Sequence, residues 1–287
     1  MYKFLKGFFL FKNNKNKITY VHNVSDYESF IYSLKDEEII GVDTEFDWRT
    51  TYFPKICLLQ ISTKKDNYVL DCISLKNLGE LKKILESKDV LKIFHSVRSD
   101  STVLSKCKDI KLQNVFDVQQ AEKLISNGEI LNYGHLVKRY TGITLDKKET
   151  NSNWLRRPLT ESQINYAAED INFLIDIFKF QRKVLSENDF RKAFEYSDLE
   201  NSLGKQNLAE LRLHKKINKL SIKEQKIFMW REKKAEYENV PPNYIFKEKY
   251  ISHLAKESLR SSTNLKKNLF KIMGDSKYVE EFILRFK

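Results

Sequence analysis

The chain has 287 residues, 41% hydrophobic and 31% charged, with only 8 Gly and 4 Pro. That make-up excludes a disordered or low-complexity chain and leaves room for one large or two ordinary domains. No apolar run approaches the ~20 residues needed to span a bilayer, and the longest, residues 8–11, is flanked by Lys6 and Lys12 with no small-residue cleavage site after it, so neither a membrane contact nor a signal peptide is expected.

The net charge of +12 is unevenly placed. From Lys205 onward 20 Lys and Arg face 10 Asp and Glu, against 31 and 29 in the first 204 residues. A segment this basic can neutralise phosphates and release their counterions; solvated lysines in a generally Lys-rich chain give part of the same signal. Cys57, Cys72 and Cys107 are odd in number and form no C-x-x-C pair, which fits free thiols in a reducing compartment, the cytoplasm.

In chain order, the spacing predicts strands over residues 38–46, 56–62 and 68–70, a helix near 75–85, a strand at 90–95 and another at 114–117. Helical periodicity follows to about Leu185, with Thr160-Glu-Ser-Gln163 as a capping-box start. The polar stretch 197–206, with Ser202 and Gly204, is the expected boundary between an α/β domain, residues 1–200, and an all-helical one, residues 201–287. In the second, residues 222–237 form an amphipathic helix that Val240-Pro-Pro-Asn243 stops, and short helices are expected around His253 and over 266–273. No internal repeat, G-x-G-x-x-G or P-loop supports nucleotide-cofactor binding.

Asp43-Thr-Glu45 lies in an apolar strand whose alternation puts both carboxylates on one face. Two like charges so close are costly unless a cation neutralises them, and oxygen ligands suit Mg²⁺ or Mn²⁺; a solvated strand end is the plain alternative. Asp100 follows the strand at 90–95, either as a ligand or as a first-turn acid favoured by a helix dipole. Asp170 lies four residues after Tyr166 on a helix, hence on its side, and on its own reads equally as a solvent-facing acid.

Taken together, Val42-Asp-Thr-Glu-Phe46, His95 through Asp100 and Tyr166-Ala-Ala-Glu-Asp170 resemble the three motifs of the DEDD exonuclease superfamily in its tyrosine form. Tyr52-Phe-Pro-Lys-Ile-Cys-Leu-Leu-Gln60, Leu145-Asp-Lys-Lys-Glu-Thr-Asn-Ser-Asn-Trp154 and Arg157-Pro-Leu-Thr160 are similar to segments of ribonuclease D. The resemblance, which spans residues 39–177, implies a ribonuclease H-like mixed sheet flanked by helices. It also implies a metal-dependent 3′-5′ exoribonuclease in which Asp43, Glu45, Asp100 and Asp170 ligate two divalent ions and Tyr166 positions the attacking water. Asn165 occupies the place where the histidine branch of the superfamily carries its base.

Among the neighbours, His95 reads as a packed residue or a substrate contact, and Gln60 as a buried hydrogen-bonding residue or a nucleotide contact. Trp154 and Arg157 read as core and surface ion pair or as a grip on the RNA end, and Asp117 as the N-cap of the next helix. Phe228-Met-Trp-Arg-Glu-Lys-Lys-Ala-Glu-Tyr-Glu-Asn-Val-Pro-Pro242 resembles the start of the HRDC domain, a helical module that assists nucleic-acid binding. Within it Trp230 reads as core, and Arg231, Lys233 and Lys234 as phosphate contacts or ordinary solvated cations.

The implied substrate is a single-stranded RNA 3′ end, with transfer-RNA precursors as the family's usual case and no obligate protein partner. Two departures stand out: one HRDC-like module fits where the family often has two, and Ser101 replaces a large apolar residue, which is expected to loosen its helix. A DNA 3′-5′ exonuclease and a catalytically silent nucleic-acid-binding protein are the competing readings.

Overall fold

The computed structural model describes residues 16–258 and 264–287; the apolar run at 8–11 lies outside them. Six strands, β1 (Lys17–Val21), β2 (Ile39–Asp47), β3 (Lys55–Ser62), β4 (Asp66–Asp71), β5 (Leu91–Phe94) and β6 (Val115–Asp117), form one sheet in the order β1-β4-β3-β2-β5-β6. β2, β3 and β4 are an antiparallel meander, and β1, β5 and β6 join it in parallel through helical crossovers. This is the mixed, helix-flanked sheet that the sequence predicts.

The helices are α1 (Val24–Ser33), α2 (Gly79–Glu86), α3 (Arg98–Lys108), α4 (Val118–Ile125), α5 (Tyr133–Thr141), α6 (Glu161–Asn172), α7 (Leu174–Val184) and α8 (Glu187–Lys205). They continue as α9 (Leu208–His214), α10 (Ile222–Glu238), α11 (Pro242–Ile245), α12 (Ile251–Glu257), α13 (Leu265–Met273) and α14 (Ser276–Phe286). Among the described residues none is long and apolar enough to cross a membrane.

The chain divides into two compact units, one made of Lys55–Lys205 and the chain up to Asp47, the other of Trp48–Pro54 and Gln206–Lys287. In the first, alternation along β2 sends Ile40 and Val42 into a core with Phe94, Val97, Val103 and Leu104. Ile93, Phe116, Ile171, Leu174 and Phe178 fill a second core, so the sheet is covered on both faces.

The stretch 197–206, the expected boundary, is helical as far as Lys205. Ser197, Asn201 and Gly204 are buried at helical spacing; Ser197 Oγ accepts from Asp117 N of β6 at 2.8 Å, and Asn201 and Gly204 pack on α3. Ser101 Oγ is 2.8 Å from both the carbonyl and the side-chain oxygen of Asn201, and Thr102 Oγ1 is 3.0 Å from the Gly204 carbonyl. Ser101 therefore ties α3 to α8, whereas the sequence suggested that it would loosen α3.

The second unit is all-helical apart from its insert. Trp230 is 6% exposed and packs against Phe246, Phe282 and Phe286. Tyr52, from the β2–β3 connection, is wholly buried in the same core. Trp48 Nε1 donates to the Tyr52 carbonyl at 2.8 Å, Phe53 N donates to Asn239 Oδ1 at 3.1 Å, and the Arg212 guanidinium lies 4.8 Å from the Tyr52 ring centre. Asn239, in the left-handed region at φ 50°, ends α10; Pro242 starts α11 in the first turn, where its missing N–H costs nothing.

Candidate active site

β2 carries Asp43 and Glu45 on one face, and the strand register breaks between Glu45 and Phe46. Such an irregularity re-aims side chains at a strand end. Asp43 and Asp170 line a cavity of about 180 Å³ together with Val42, His95, Tyr133 and Leu174. Asp170 comes from α6, started by the Thr160/Gln163 capping box. Asp100 comes from the first turn of α3 and is 4% exposed.

Thr44, which alternation sends to the opposite face from Asp43, donates to Asp100 Oδ1 at 2.6 Å. The turn before α3 is held by Asp117, whose carboxylate accepts from Ser96 N at 2.9 Å and Val97 N at 3.0 Å. Asp117 also caps α4 through Gln119 N, the role the sequence assigns to it. Behind α3, Gly204 leaves no room for a side chain: a Cβ there would lie 2.5 Å from the Arg98 carbonyl and 2.7 Å from Ser101 Cβ. Gly204→Ala is expected to cost about 1–3 kcal/mol through overpacking, measured by urea unfolding; an unchanged midpoint contradicts the close α3–α8 seam.

The four acids act on one another. Asp43 is pushed well above the usual carboxylate range by desolvation and by the charges of Asp100, Asp170 and Glu45. Glu45 rises to about 9 through desolvation and the charges of Asp170 and Asp100. Asp100 and Asp170 each rise to about 7, chiefly by desolvation, with the hydroxyls of Thr44 and Tyr166 respectively working against the rise. A nearby cation would favour the charged form of carboxyls raised in this way, and their oxygens are a hard donor set that fits Mg²⁺ or Mn²⁺. As placed, no three His, Cys, Asp or Glu side chains among the described residues already form a coordinating cluster. The acids are within electrostatic reach of one another and would have to draw together to share an ion.

Tyr166 sits beside them. Desolvation, then the charge of Asp170, push its phenol up to about 12, so it is neutral at ordinary pH. Trp154, 4% exposed, packs on its ring at 6.0 Å, which makes Trp154 a support of the tyrosine and places it in the core. His95 is half-buried; its Nε2–H donates to the Leu131 carbonyl at 2.9 Å, and burial lowers its pKa. It faces the cavity as a neutral ring, edge-on to Tyr133.

Other candidates are occupied elsewhere. Gln60, paired with Asp43 across the strands, is wholly buried, and neither of its amide atoms finds a hydrogen-bond partner among the described residues. The Arg157 fork binds Asp71 at 2.7 and 2.6 Å. Burial opposes the Asp71 charge, but Arg157 and Tyr20 outweigh it and hold the carboxyl below its usual range. Arg231 is 2% exposed beside Glu232, so it is no surface phosphate contact. Lys233 is exposed, and Lys234 is half-buried against Glu281.

Two residues not singled out from the sequence also matter. Tyr133 walls the cavity, accepts from Phe173 N at 3.2 Å and bonds the Glu169 carbonyl at 3.3 Å, bridging the break between α6 and α7. Thr150 meets the Tyr166 hydroxyl at 3.3 Å. Tyr133 carries no sequence signal beyond its residue type at a helix start, and Thr150 none beyond its place in the ribonuclease D-like segment 145–154.

A family profile described as 3′-5′ exonuclease matches residues 18–186, more than half of the chain, and spans all four acids and Tyr166. The chain belongs to the 3′-5′ exonuclease family. An HRDC domain profile matches residues 224–283 of this exonuclease-family chain. It is 28% identical over 259 residues to the ribonuclease D of Bartonella henselae, covering 86% of this chain and 63% of that protein. It thus spans under two thirds of that relative's length. The crystal structure of Escherichia coli RNase D, an exoribonuclease involved in structured RNA processing, has the same fold, with a TM-score of 0.78 at 22% identity over 93% of this chain and 75% of that one. Brucella melitensis NrnC with bound Mg²⁺ matches with a TM-score of 0.58 at 20% identity, over 72% of this chain and 98% of that one.

Proposed function

We propose that this chain is a ribonuclease D-type 3′-5′ exoribonuclease that removes nucleoside 5′-monophosphates from single-stranded RNA ends, transfer-RNA precursors being the substrate class the resemblance implies. The observation that carries this reading is geometric: Asp43 and Asp170 line one cavity, Glu45 shares the strand face of Asp43, Thr44 between them holds Asp100, and Tyr166 lies one turn from Asp170 on the same helix. Those acids would hold two divalent ions, Mg²⁺ or Mn²⁺. When bound, the ions stabilise charge on the attacking and leaving oxygens of an in-line displacement at phosphorus.

The protein's own groups divide the remaining work. Asp43, sharing the cavity with Asp170 and a strand face with Glu45, is the central ligand. Thr44 and the Asp117-clamped turn fix the direction from which Asp100 approaches. Tyr166 stays protonated and orients the attacking water. His95 keeps its Nε2 proton on Leu131 and acts as a neutral wall. In the second unit, a groove of about 1030 Å³ lined by Lys226, Lys233, Lys234, Tyr237 and Arg285 offers cations for phosphates and an exposed ring for stacking.

Matched RNA and DNA oligonucleotides, labelled at the 5′ end and incubated with Mg²⁺, test this. Stepwise shortening of RNA from the 3′ end with release of 5′-monophosphates is expected, and slower loss of DNA. Faster loss of DNA moves the substrate to DNA, and binding without Mg²⁺-dependent release from either identifies a silent binding protein.

A further inference from the structure

We propose that Tyr133 is a positioning residue for Asp170: its hydroxyl is wedged into the helical hydrogen-bond ladder between Glu169 and Phe173, ends α6 just past the acid and so fixes where that carboxylate stands in the cavity. The inference rests on the reading of Asp170 as a metal ligand given above and adds the group that sets its place.

In one continuous helix Phe173 N would donate to the carbonyl of Glu169, four residues back. Instead α6 stops at Asn172 and α7 starts at Leu174. The Tyr133 oxygen stands 3.2 Å from Phe173 N and 3.3 Å from the Glu169 carbonyl. An amide N–H only donates and a carbonyl only accepts, so both directions are fixed: the phenol accepts from Phe173 and donates to Glu169. A side chain inserted into the ladder is a recognised cause of a helix break, and neither Pro nor Gly lies between Glu169 and Leu174 to supply another. Phe173 N turns also to the Ile171 carbonyl.

The carbonyls on either side are held from the sheet. Asn67 Nδ2 donates to the Ala168 carbonyl at 3.3 Å and Ser62 Oγ to that of Ile171 at 3.0 Å, and both residues are buried. Gly41 faces Ser62 across the strands; a Cβ there would lie 2.2 Å from Ser62 Oγ, so the glycine makes room for that bond. Asp170 therefore lies in a turn whose carbonyls at 168, 169 and 171 are fixed by three different side chains. Of these three, Tyr133 is the one that lines the cavity with Asp43 and Asp170. Desolvation, reinforced by the charges of Asp170 and Asp43, pushes its phenol up, so it keeps the proton that it gives to Glu169.

Tyr133→Phe keeps the ring and removes the hydroxyl, which frees Phe173 N to bond the Glu169 carbonyl directly, lengthening α6 and moving Asp170. In isothermal titration of the metal-free chain, Mg²⁺ affinity is expected to fall about tenfold, the lower end of what losing a supporting residue of a metal ligand costs. At sub-saturating Mg²⁺, kcat should fall with it while KM for an RNA oligonucleotide stays, a split that general loosening of the fold would not give. In the Asp170→Asn background Tyr133→Phe should cost no further Mg²⁺ affinity, because the carboxylate it positions is gone. A second readout needs neither metal nor activity. Asn172-Phe173 is the only Asn-Phe pair in the chain, so ¹³C′-Asn with ¹⁵N-Phe labelling isolates the Phe173 amide, whose resonance should move in Tyr133→Phe. An unmoved amide, an unchanged Mg²⁺ affinity or an equal loss in the Asp170→Asn background overturns the proposal, and leaves the functional reading standing if wild type degrades RNA. If the amide moves and the affinity falls but wild type releases no nucleotide, the positioning stands and the functional reading falls.

Discussion

Asp43→Asn is expected to reduce Mg²⁺-dependent release of mononucleotides by at least about 10³-fold, a loss typical of a group on which several others depend, while making the metal-free protein more stable. Both effects have one cause. Asp43 is recessed and feels the charges of Asp100, Asp170 and Glu45, so without a cation its own charge is a cost to the fold. Asparagine keeps the shape, removes the repulsion and removes the ligand. Differential scanning calorimetry without metal should show a higher midpoint, roughly 2–4 °C for each kcal/mol relieved in a protein of this size. Single-turnover assays should show the loss of rate. A variant less stable than wild type, or with a rate within about tenfold of it, contradicts the role assigned to Asp43.

Proton and metal binding should oppose each other steeply. Glu45 is raised to about 9 and Asp100 and Asp170 to about 7 in the folded, metal-free protein, against about 4 in an unfolded chain. The folded state therefore keeps protons that the unfolded state releases. The stability these groups allow is fully present below about pH 4 and is lost as pH rises from there through 7 to 9. Mg²⁺ must displace the same protons, so its affinity should rise about 10²- to 10³-fold between about pH 6 and pH 8. Isothermal titration calorimetry in two buffers of different ionisation enthalpy measures the protons released. Release at pH 6.5 that fades toward pH 9.5 is the expected result, and a pH-independent affinity with none released is the contrary one.

Much of this candidate site was legible through its resemblance to the three exonuclease motifs, since period and spacing alone left each acid with a solvated alternative. Alternation in Val42-Asp-Thr-Glu-Phe46 put both acids on one face, and a spacing of four put Asp170 on the side of Tyr166, because these depend only on local geometry. What escaped depends on tertiary packing. The stretch 197–206, with Ser202 and Gly204, read as a domain boundary because small polar residues often make one; here Asn201 and Gly204 line a seam against α3 and Ser197 meets β6. Arg231 looked exposed because the apolar pattern of α10 is weak. That helix is packed on several sides, by α9, α11 and α12, and Arg231 is buried with Glu232 between them. Tyr52 read as part of a catalytic-domain motif, yet it fills the core of the second unit. Thr150 had no periodicity to reveal it, since its partner is sixteen residues away across a turn.

The most direct test is a crystal of the protein soaked with Mn²⁺ near pH 8, read by anomalous scattering. The account predicts peaks in the cavity beside Asp43 and Asp170, with carboxylate oxygens of Glu45 and Asp100 drawn into the same coordination shell. Saturating Mn²⁺ that leaves this cavity without a peak, or that binds only elsewhere, contradicts it.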